Sequence, residues 1–519
     1  MSSKMADSIS SETELFENLR KQVDPTILEE QTRKLVDREI IQNVKAQEQL
    51  KELININSTF PIKISSVQVI GAKNTRRSFL EKLLNPLTCD KTNKYLTLSE
   101  ALHEVRAVVD KLSRFGIYHP NIQTFIDRHD IPDSSLKPTP IDIYLKAQEC
   151  GRISLKTGTD LGNAEGSAYG NLTWRNIFGG AESLNLNASA GTRTRSAYQA
   201  TFDSPLLSDP EKRIQLEVHA SSTLKPWASH EEVNRGVGAR YNWVSKNGGR
   251  HQVGYNGLWR QITGLATGAS STIRNEAGDS VKSSLTHTWL ADHRDHPLLP
   301  SRGYFLKIFS EIAGWGPLQG DVAFFKSEIE STYAFPVRIP GLKGDSGVSI
   351  TNSLRAGILH PLPIGFGKNS VPSQVTDRFQ LGGPTDVRGF KTSGLGPRDG
   401  HDGVGGDVYA AACTNLLLPL PRTGKDAPIR LQIFANAGRL LALSGELGKH
   451  RRDTTNSRNT ILATIAELGD GLPSLAAGVG IVYAHPVARF ELNFCLPFVI
   501  RKGEEGRKGL QFGVGINFL

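Results

Sequence analysis

The sequence predicts a mainly β protein, in which a 16-stranded antiparallel transmembrane β-barrel follows one small α/β domain and an N-terminal helical arm. Three observations lead to this fold class. From Cys150 onward, apolar and polar residues alternate with a period of two, as in strands with one apolar face. No stretch approaches ~18 consecutive apolar residues, which excludes membrane-spanning helices. The 51 glycines among 519 residues and the mean hydropathy of −0.29 suit spanning strands, in which only every second residue is apolar.

The formal net charge of +9 is unevenly distributed along the chain. The first 60 residues contain 8 basic and 11 acidic residues, a balance of −3, so the remainder carries +12. A basic surface is compatible with nucleic acid, with anionic lipid headgroups or with a positively lined pore. No run of Lys and Arg is interleaved with aromatic residues, and nucleic acid is therefore not expected as a partner.

The four cysteines are far apart and form no CxxC motif: Cys89, Cys150, Cys413 and Cys495. Their spacing indicates neither a zinc site nor a disulfide framework, and it fits a thiol-tolerant compartment. We expect no metal and no cofactor. The N-terminus has no basic segment followed by an apolar one and is acidic, so neither a secretory signal peptide nor a typical transit peptide is expected.

Residues 1–58 are expected to form a helical, partly disordered arm. Apolar residues recur at helical intervals between positions 12 and 55 among many charges, and Pro25 interrupts the pattern. We interpret the segment as a solvated amphipathic arm, with a helix that docks on a partner as the alternative.

Residues 59–149 predict a compact α/β domain in the order β-α-α-β-β. A strand around Ile62–Val69 precedes the first helix. Thr97 and Glu100 stand at the spacing of a capping box for the second helix. Two strands follow, around Tyr118–Ile126 and Ile141–Ala147.

Residues 150–519 predict about sixteen strands that form the barrel. In the last strand one face holds Leu510, Phe512, Val514, Ile516 and Phe518, and the other holds Gln511, Gly513, Gly515 and Asn517. Several inward positions of other strands are charged: Glu217, Lys307, Glu311, Arg489 and Glu491. The dry core of a soluble sandwich could not hold so many charges, whereas a wide lumen could. Closure would also remove the sheet edges that lipid does not tolerate.

Two connections are unusually long, at 360–404 and 443–471, and loops of this length are usually functional or disordered. The first contains the string RFQLGGPTDVRGF at 378–390. Carboxylates in the lumen are expected to anchor Arg388 by charge-assisted hydrogen bonds, while Gly389 permits a sharp bend and Phe390 provides an apolar wedge. Taken alone, the tetrapeptide VRGF is more simply interpreted as a surface turn.

Three strings that resemble enzyme motifs are not expected to have catalytic or metal-binding roles. GDSG at 344–347 lies in a turn signal between strands, without a matching His and Asp context. DHRDH at 292–296 adjoins turn-forming prolines, and GVGGD at 403–407 precedes a strand rather than a helix. An enzyme is therefore not expected.

Five strings follow the α/β domain in a fixed order: DHRDHPLLPSRGYFLK at 292–307, LGGPTDVRGF at 381–390, GGDVYAAACTNLLLPLP at 405–421, FANAG at 434–438 and QFGVGINF at 511–518. Together they resemble the POTRA-plus-barrel superfamily of outer-membrane assembly proteins, the bacterial surface antigen family. The single POTRA-like unit and the absence of an expected signal peptide make the chain most similar to the barrel-forming subunit of the mitochondrial sorting and assembly machinery. The resemblance covers about 60–519, and QFGVGINF looks like the family's β-signal.

The resemblance implies insertion and folding of β-barrel precursors into the mitochondrial outer membrane, through a lateral gate between the first and last barrel strands. The first strand, Arg152–Leu161, would be the template. Glycines Gly158, Gly513 and Gly515 are expected to weaken strand packing at this seam. The gate residues would be Arg152, Ile153, Ser154, Leu155, Lys156, Thr157, Gly158, Gln511, Gly513, Val514, Gly515, Ile516 and Phe518.

The resemblance also implies an anchor in the lumen, formed by Val387, Arg388, Gly389 and Phe390. Members of the family often carry carboxylates where this chain has Asn415 and Asn436, and both positions face the lumen in the family. An uncharged Asn accepts a hydrogen bond but forms no ion pair. The location of the anchor is therefore expected, while the ionic partner of Arg388 is left open.

Partners and location are implied in the same way. The partners would be β-barrel precursors, peripheral cytosolic-side subunits of the sorting and assembly complex, outer-membrane lipids, and a second copy of the chain or another barrel. The POTRA domain would face the intermembrane space. The alternative is a polypeptide translocation or secretion pore of the same superfamily, which the barrel pattern does not separate from an assembly protein.

Overall fold

The computed structural model describes residues 38, 41–42, 44–46 and 48–519, except for 89–95, 129–138, 163–164, 315–318, 339–345, 364–371, 421–426, 444–456, 487 and 516–517. By its contacts, the described chain divides into two compact units. The first comprises the described residues up to Gly71, Leu84–Ser113 and Pro120–Gln148; the second comprises Ala72–Leu83, Arg114–His119 and Glu149–Leu519. The boundaries drawn from the sequence after residues 58 and 149 stay predictions, as does the arm over 1–37, which lies outside the described residues.

A small α/β sheet follows the helical residues 48–56. Its elements are β1 (Pro61–Ile70), α1 (Arg77–Thr88), β2 (Leu96–Thr97), α2 (Leu98–Arg114), β3 (Gln123–Arg128) and β4 (Thr139–Lys146). The strand order is β2-β1-β4-β3, and β1 runs parallel to β4. The predicted order of two helices and two later strands is present; the two-residue β2 is additional, because so short a segment has no detectable period.

The capping box predicted for α2 is present. The backbone N–H of Thr97 donates to Glu100 Oε2 at 3.0 Å, and the N–H of Glu100 donates to Thr97 Oγ1 at 3.3 Å. These bonds satisfy two donors that a helix N-terminus otherwise leaves unpaired. The buried face of α2 then holds Val105, Val108 and Leu112 at helical spacing.

Sixteen strands form one antiparallel sheet, which confirms the predicted fold class. They run in chain order: β5 Ile153–Gly162, β6 Glu165–Arg175, β7 Ser183–Gly191, β8 Thr194–Leu206, β9 Asp209–Lys225, β10 His230–Val244, β11 Arg250–Thr263, β12 Gly278–Asp292, β13 Gly303–Ala313, β14 Phe324–Pro336, β15 Ser349–Pro361, β18 Val408–Pro419, β19 Ile429–Leu441, β20 Ser474–Ala484, β21 Arg489–Val499 and β22 Gly509–Gly515. Between them lie β16 (Arg398–Asp399), β17 (Asp402–Gly403), α3 (Ser271–Asn275), α4 (Ser457–Gly469) and a 3₁₀ turn (Pro226–Ala228).

The two faces of this sheet differ in polarity. On β21, Leu492 and Phe494 are exposed, whereas Glu491 and Asn493 are buried. Since side chains on a strand alternate between faces, the outer face is apolar and the inner face is polar. A soluble barrel would have the opposite arrangement. The pattern is that of a barrel whose outer face contacts lipid.

An arginine on the outer face should therefore be more harmful than one on the inner face of the same strand. Leu186 is exposed near the middle of β7, and its neighbour Asn185 points inward. We expect Leu186→Arg to cost about 2–4 kcal/mol of unfolding free energy and Asn185→Arg clearly less. Denaturant unfolding in lipid vesicles, followed by the gel mobility of unheated samples, measures both. Equal losses would show that the inner and outer faces are assigned wrongly.

The connection between β15 and β18 runs through the interior of the barrel. Its apolar residues join one buried cluster with inward residues of the strands: Phe379, Leu381, Val387, Phe390 and Leu395 pack in a cluster with Tyr409, Cys413, Phe434, Leu440, Ala476 and Cys495. The connection spans 362–407, close to the predicted 360–404. We call it the interior loop.

The second long connection, between β19 and β20, contains α4. Its basic run at 449–453 lies outside the described residues. Among the helices that the structure describes, none is long and apolar enough to cross a membrane.

The DHRDH string forms the turn between β12 and β13. Asp295 accepts hydrogen bonds from the backbone N–H groups of Ser301 and Arg302, and Arg294 pairs with Asp292 at 2.8 Å. Each of these acidic groups has a partner within the turn. No group of three or more metal-ligating side chains occurs among the described residues.

Candidate functional site

A sharp bend of the interior loop places the VRGF string against strands β18 to β22. Gly389 has φ +88°, and a Cβ at this position would lie 2.6 Å from the Cβ of Ala476. Both facts require glycine, because L-residues rarely adopt this φ and no space is left for a side chain. Val387 and Phe390 are fully buried on either side of the bend. The bend therefore directs the Arg388 side chain into the protein rather than towards solvent.

Arg388 forms a two-pronged ion pair with Glu491 of β21. Its Nε donates to Oε2 at 2.8 Å and its Nη2 donates to Oε1 at 3.1 Å. Both side chains are 0% exposed. Burial alone would lower the pKa of Arg388, but the Glu491 carboxylate outweighs it and holds that pKa above its usual value. The planar guanidinium matches the carboxylate geometry, which a lysine could not reproduce.

Glu491 is shared with a second buried arginine. Arg489 Nη2 lies 2.6 Å from Glu491 Oε1 and also donates to Gln432 Oε1 at 3.1 Å. Asn493 donates to the other carboxylate oxygen at 2.7 Å. One carboxylate thus pairs with a loop cation and a strand cation at once, and the three side chains carry a net charge of +1.

The two asparagines considered as partners of Arg388 have other roles. Asn436 Nδ2 donates to the backbone carbonyl of Arg388 at 2.9 Å. Asn415 accepts from Gln432 and does not contact the guanidinium; its neighbour Cys413 places Sγ 3.4 Å from Arg388 Nη1. The ionic partner is Glu491, which sequence analysis identified only as an inward charge. In the sequence, the alternation of Glu491 with outward apolar residues indicated that this side chain points inward.

The last two residues turn into the barrel, which corrects one expectation. The sequence pattern placed Phe518 on the outer face with Phe512, but the described part of β22 ends at Gly515 and Phe518 lies inside the barrel. The Phe518 ring lies 5.7 Å from the Arg388 guanidinium and 5.1 Å from that of Arg489. Two buried cations thus attract its π face, and the Leu519 carbonyl accepts a bond from Arg388 Nη1 at 3.2 Å. Period-two alternation cannot show where a strand stops.

A second anchor holds the part of the interior loop that precedes the VRGF string. Here the loop supplies an anion, Asp377, and the strands supply the cations. Asp377 pairs with Arg260 of β11 at 2.7 Å and with Lys282 of β12 at 3.0 Å. Burial raises the pKa of Asp377, but the Lys282 and Arg260 charges outweigh it and hold the pKa below its ordinary value. Lys326 donates to the Asp377 carbonyl at 2.9 Å. No family-like string marked Asp377, and sequence analysis missed it.

The two strands proposed for the seam, β5 and β22, are the two edge strands of the sixteen-stranded sheet. No ladder joins β5 to β22 among the described residues, although their Cα atoms approach within 8 Å. On β5, Ile153, Leu155, Lys156 and Thr157 are exposed, and Ser154 and Gly158 are half-buried. On β22, Gln511 and Gly513 are buried, and Val514 and Gly515 are half-buried; Ile516 lies outside the described residues.

Two seam residues have specific local contacts. Arg152 Nη2 donates to the carbonyls of Asn176 and Ile177, both at 3.2 Å. A Cβ at Gly158 would lie 2.7 Å from the Tyr169 hydroxyl, so the ring of the neighbouring strand covers this glycine.

Cys150, Cys413 and Cys495 are free thiols; Cys89 lies outside the described residues.

Comparison with known proteins identifies the family. Residues 176–518 match the model of the Omp85 superfamily domain. The chain belongs to the Omp85 superfamily. The resemblance drawn from the five strings is thereby confirmed, and this superfamily of assembly and translocation barrels is not an enzyme class.

Several relatives of this Omp85 protein are similar over most of their length. A SAM50-like protein of Schizosaccharomyces pombe is 39% identical over 473 residues, which cover 91% of this chain and 94% of that protein. The sorting and assembly machinery component 50 homolog of Homo sapiens is 33% identical over 438 residues, covering 83% and 85%. The crystal structure of BamA from Haemophilus ducreyi lacking POTRA domains 1–3 has a TM-score of 0.66 at 14% identity, covering 87% and 84%, and shares the fold.

Proposed function

We propose that this Omp85 protein inserts and folds β-barrel precursors into the mitochondrial outer membrane through a lateral gate between β5 and β22. The names of its relatives, a SAM50-like protein and the sorting and assembly machinery component 50 homologs, support an assembly role. The apolar outer face supports a location within an outer membrane. Precursor strands, peripheral subunits of a sorting and assembly complex and membrane lipids are its proposed partners.

The observation that carries the proposal is the unequal pair of end strands. Among the described residues β5 has ten and β22 has seven, so the described part of β22 cannot cover the whole edge of β5. By Phe518 the chain lies inside the barrel. Unpaired backbone N–H and C=O groups cost several kcal/mol each in hydrocarbon. An incoming strand that pairs with this edge removes that cost from both partners.

By the same reasoning, replacing β22 by a precursor strand changes the free energy little. A precursor strand that resembles Leu510–Phe518 exchanges one set of backbone hydrogen bonds for an equivalent set. This is strand addition at a sheet edge inside a membrane. The edge strand β3 offers a second such edge, on the intermembrane-space side in this proposal, since all six of its residues are exposed.

Locking the seam with a disulfide tests the proposal. Cysteine pairs are scanned between β5 and β22 in a chain that lacks the four native cysteines, and a pair that oxidises readily is selected. The oxidised protein should lose precursor insertion, and reduction should restore it. Leu155 and Leu172 are paired across β5 and β6, and a disulfide between cysteines at these positions is the matched control, expected to leave insertion unchanged.

The alternative function is a polypeptide translocation pore of the same superfamily. The interior loop opposes it, because its two buried anchors keep the loop within the lumen that a polypeptide would have to cross. If the locked seam inserts precursors at the unlocked rate, the lateral gate is wrong and passage through the lumen becomes the better explanation.

A further inference from the structure

The helix α4 lies against the outer face of the sheet, at the end of the barrel where the interior loop enters. Arg439 of β19 donates from Nη1 to the carbonyls of Leu468, at 3.0 Å, and Asp470. The neighbouring Leu440 belongs to the interior cluster, so Arg439 belongs to the outer face. Arg439 is nevertheless only 6% exposed. The last turn of α4 is therefore fixed to a strand on the face that contacts lipid.

The exposure of the outer residues of β19 falls along the strand towards α4. Ile429 and Ile433 are exposed, and Ala437 is half-buried. Arg439, the next outer residue, is buried where α4 contacts β19 and its neighbour β18. Ten residues separate Ile429 from Arg439, which corresponds to about 25 Å along the axis of a barrel whose strands tilt by roughly 40°. An apolar band of this height spans the hydrocarbon layer, so α4 lies at the boundary of that layer.

The polarity of α4 is the reverse of that of a surface helix in water. Among residues 461–469, the part of α4 whose side chains the structure describes, only Thr464 is buried. On the side turned away from the barrel, Leu462 is 65% exposed and Ile465 is 38% exposed. A helix on a water-soluble protein would bury the two apolar side chains and expose the threonine. Since this side continues the lipid-contacting face of the sheet, lipid is the molecule that covers it.

The position of Glu467 allows its charge to remain in water. Glu467 is the one acidic residue between 461 and 469, and it is exposed. Successive residues of an α-helix are rotated by about 100°, so positions 465 and 467 differ by about 200° and lie on nearly opposite flanks. Leu462 lies within about 60° of Ile465. A helix parallel to the membrane surface can therefore immerse Leu462 and Ile465 while the carboxylate stays among the headgroups.

We propose that α4 is an interfacial anchor, which lies along the boundary between the headgroups and the acyl chains of the lipid leaflet at this end of the barrel. Leu462 and Ile465 are immersed in that leaflet, and Glu467 points to water. The phospholipid surface, and not another protein subunit, covers the apolar side of the helix. Because α4 is bonded to β19, it sets the depth of β18 and β19 in the membrane. The inference depends on the outer face of the barrel and not on strand exchange at the seam.

A cysteine scan of α4 in lipid vesicles tests this inference, with the purified full chain as the only protein present. In a chain that lacks the four native cysteines, single cysteines replace Leu462, Ala463, Ile465, Ala466 and Glu467 in turn, and each carries a fluorescent NBD group. Quenching by lipids with a nitroxide on the acyl chain measures immersion. Quenching should follow the period of the helix and be at least about three-fold stronger at positions 462 and 465 than at 467.

Two further labelled positions calibrate the scan. Thr267→Cys places the label in the exposed connection between β11 and β12 at the same end of the barrel, where lipid should quench it weakly. Val218→Cys places it on the exposed outer face near the middle of β9, where lipid should quench it strongly. Iodide, which quenches from the water, should give the reverse order at all positions. Gel mobility of the unheated samples establishes that each labelled barrel is folded.

Two results would overturn the inference. Lipid quenching as weak as that of the Thr267 label at all five α4 positions would show that the helix lies in water and that its apolar side is a surface for a protein partner. Equal quenching at positions 465 and 467 would show that α4 does not lie parallel to the membrane surface with its acidic flank in water. Neither measurement uses precursor insertion, so the outcome is independent of the proposed function.

Discussion

Replacing Glu491 by glutamine should destabilise the barrel by about 3–5 kcal/mol, because it leaves two buried arginines without a counter-charge. Arg388 and Arg489 both pair with this carboxylate, and Arg388 is wholly inaccessible to water. The shape of the side chain is nearly unchanged, so lost packing contributes little. Denaturant unfolding of the barrel in lipid vesicles measures the change in unfolding free energy.

The same loop offers a matched control. Glu505 also pairs with a loop cation, Lys391, at 3.0 Å, but its side chain is 36% exposed. Glu505→Gln should therefore cost less than about 1 kcal/mol. Arg388→Met should cost less than Glu491→Gln, since Arg489 still neutralises the remaining carboxylate. If Glu491→Gln proves no more harmful than Glu505→Gln, the buried pair does not stabilise the barrel.

Asp377→Asn should detach the part of the interior loop that precedes the VRGF string from β11 and β12. The substitution removes the charge that Arg260 and Lys282 face, while Arg260 keeps its hydrogen bond to Gln374 Oε1 at 2.9 Å and Lys282 keeps its ion pair with Glu311. A loss of about 3 kcal/mol corresponds to a factor of roughly a hundred in the fraction of open loop. Limited trypsin digestion, with the cuts located by mass spectrometry, should show faster cleavage between residues 372 and 407.

Asp399→Asn is the control for this change, because Asp399 lies in the same loop but accepts hydrogen bonds from Ser271 and Thr272 instead of forming an ion pair. Its effect on cleavage should be small. Cleavage that is equally fast in both variants would show that Asp377 does not anchor the interior loop.

The pH dependence of this second anchor follows from the lowered pKa of Asp377. A carboxyl whose pKa is lower in the folded state stabilises that state above its unfolded pKa, about 3.9 for Asp. The contribution is lost only as the pH falls through the lower folded value. Trypsin-independent probes of loop opening, such as hydrogen exchange, should therefore show no release of this part of the loop between pH 7 and pH 5. Release in that range would contradict the assignment.

Much of the architecture could be predicted from residues close together in the chain. The alternation along β21 and β22 separates inner from outer faces, because the pleat of a strand depends only on neighbouring residues. The same alternation marked Glu491 as an inward charge. The VRGF string, through its family resemblance, indicated where the interior loop turns inward. The alternation lies within a few residues and needs no knowledge of the fold, whereas the VRGF string is informative only through the family resemblance.

The pairings themselves could not be predicted in this way. Glu491 lies 103 positions from Arg388, and Asp377 lies 117 positions from Arg260. The family resemblance pointed to Asn415 of β18 and Asn436 of β19, whereas the carboxylate that forms the ion pair with Arg388 is on β21. Which carboxylate neutralises a buried cation depends on which groups share its dry surroundings, and only the assembled interior determines that.

The sequence by itself determined the class of fold, about sixteen strands and most of their faces, since these follow from short-range periodicity, while the entry of the loop into the barrel was implied by the family resemblance of the VRGF string. Only the tertiary structure decided that Phe518 turns inward, that Glu491 and Asp377 are the anchors, and that the backbone of Gly389 and Phe390 in the loop holds the Gln511 side chain. These features depend on burial, because a charge or an amide removed from water must find a partner in space, whatever its distance along the chain.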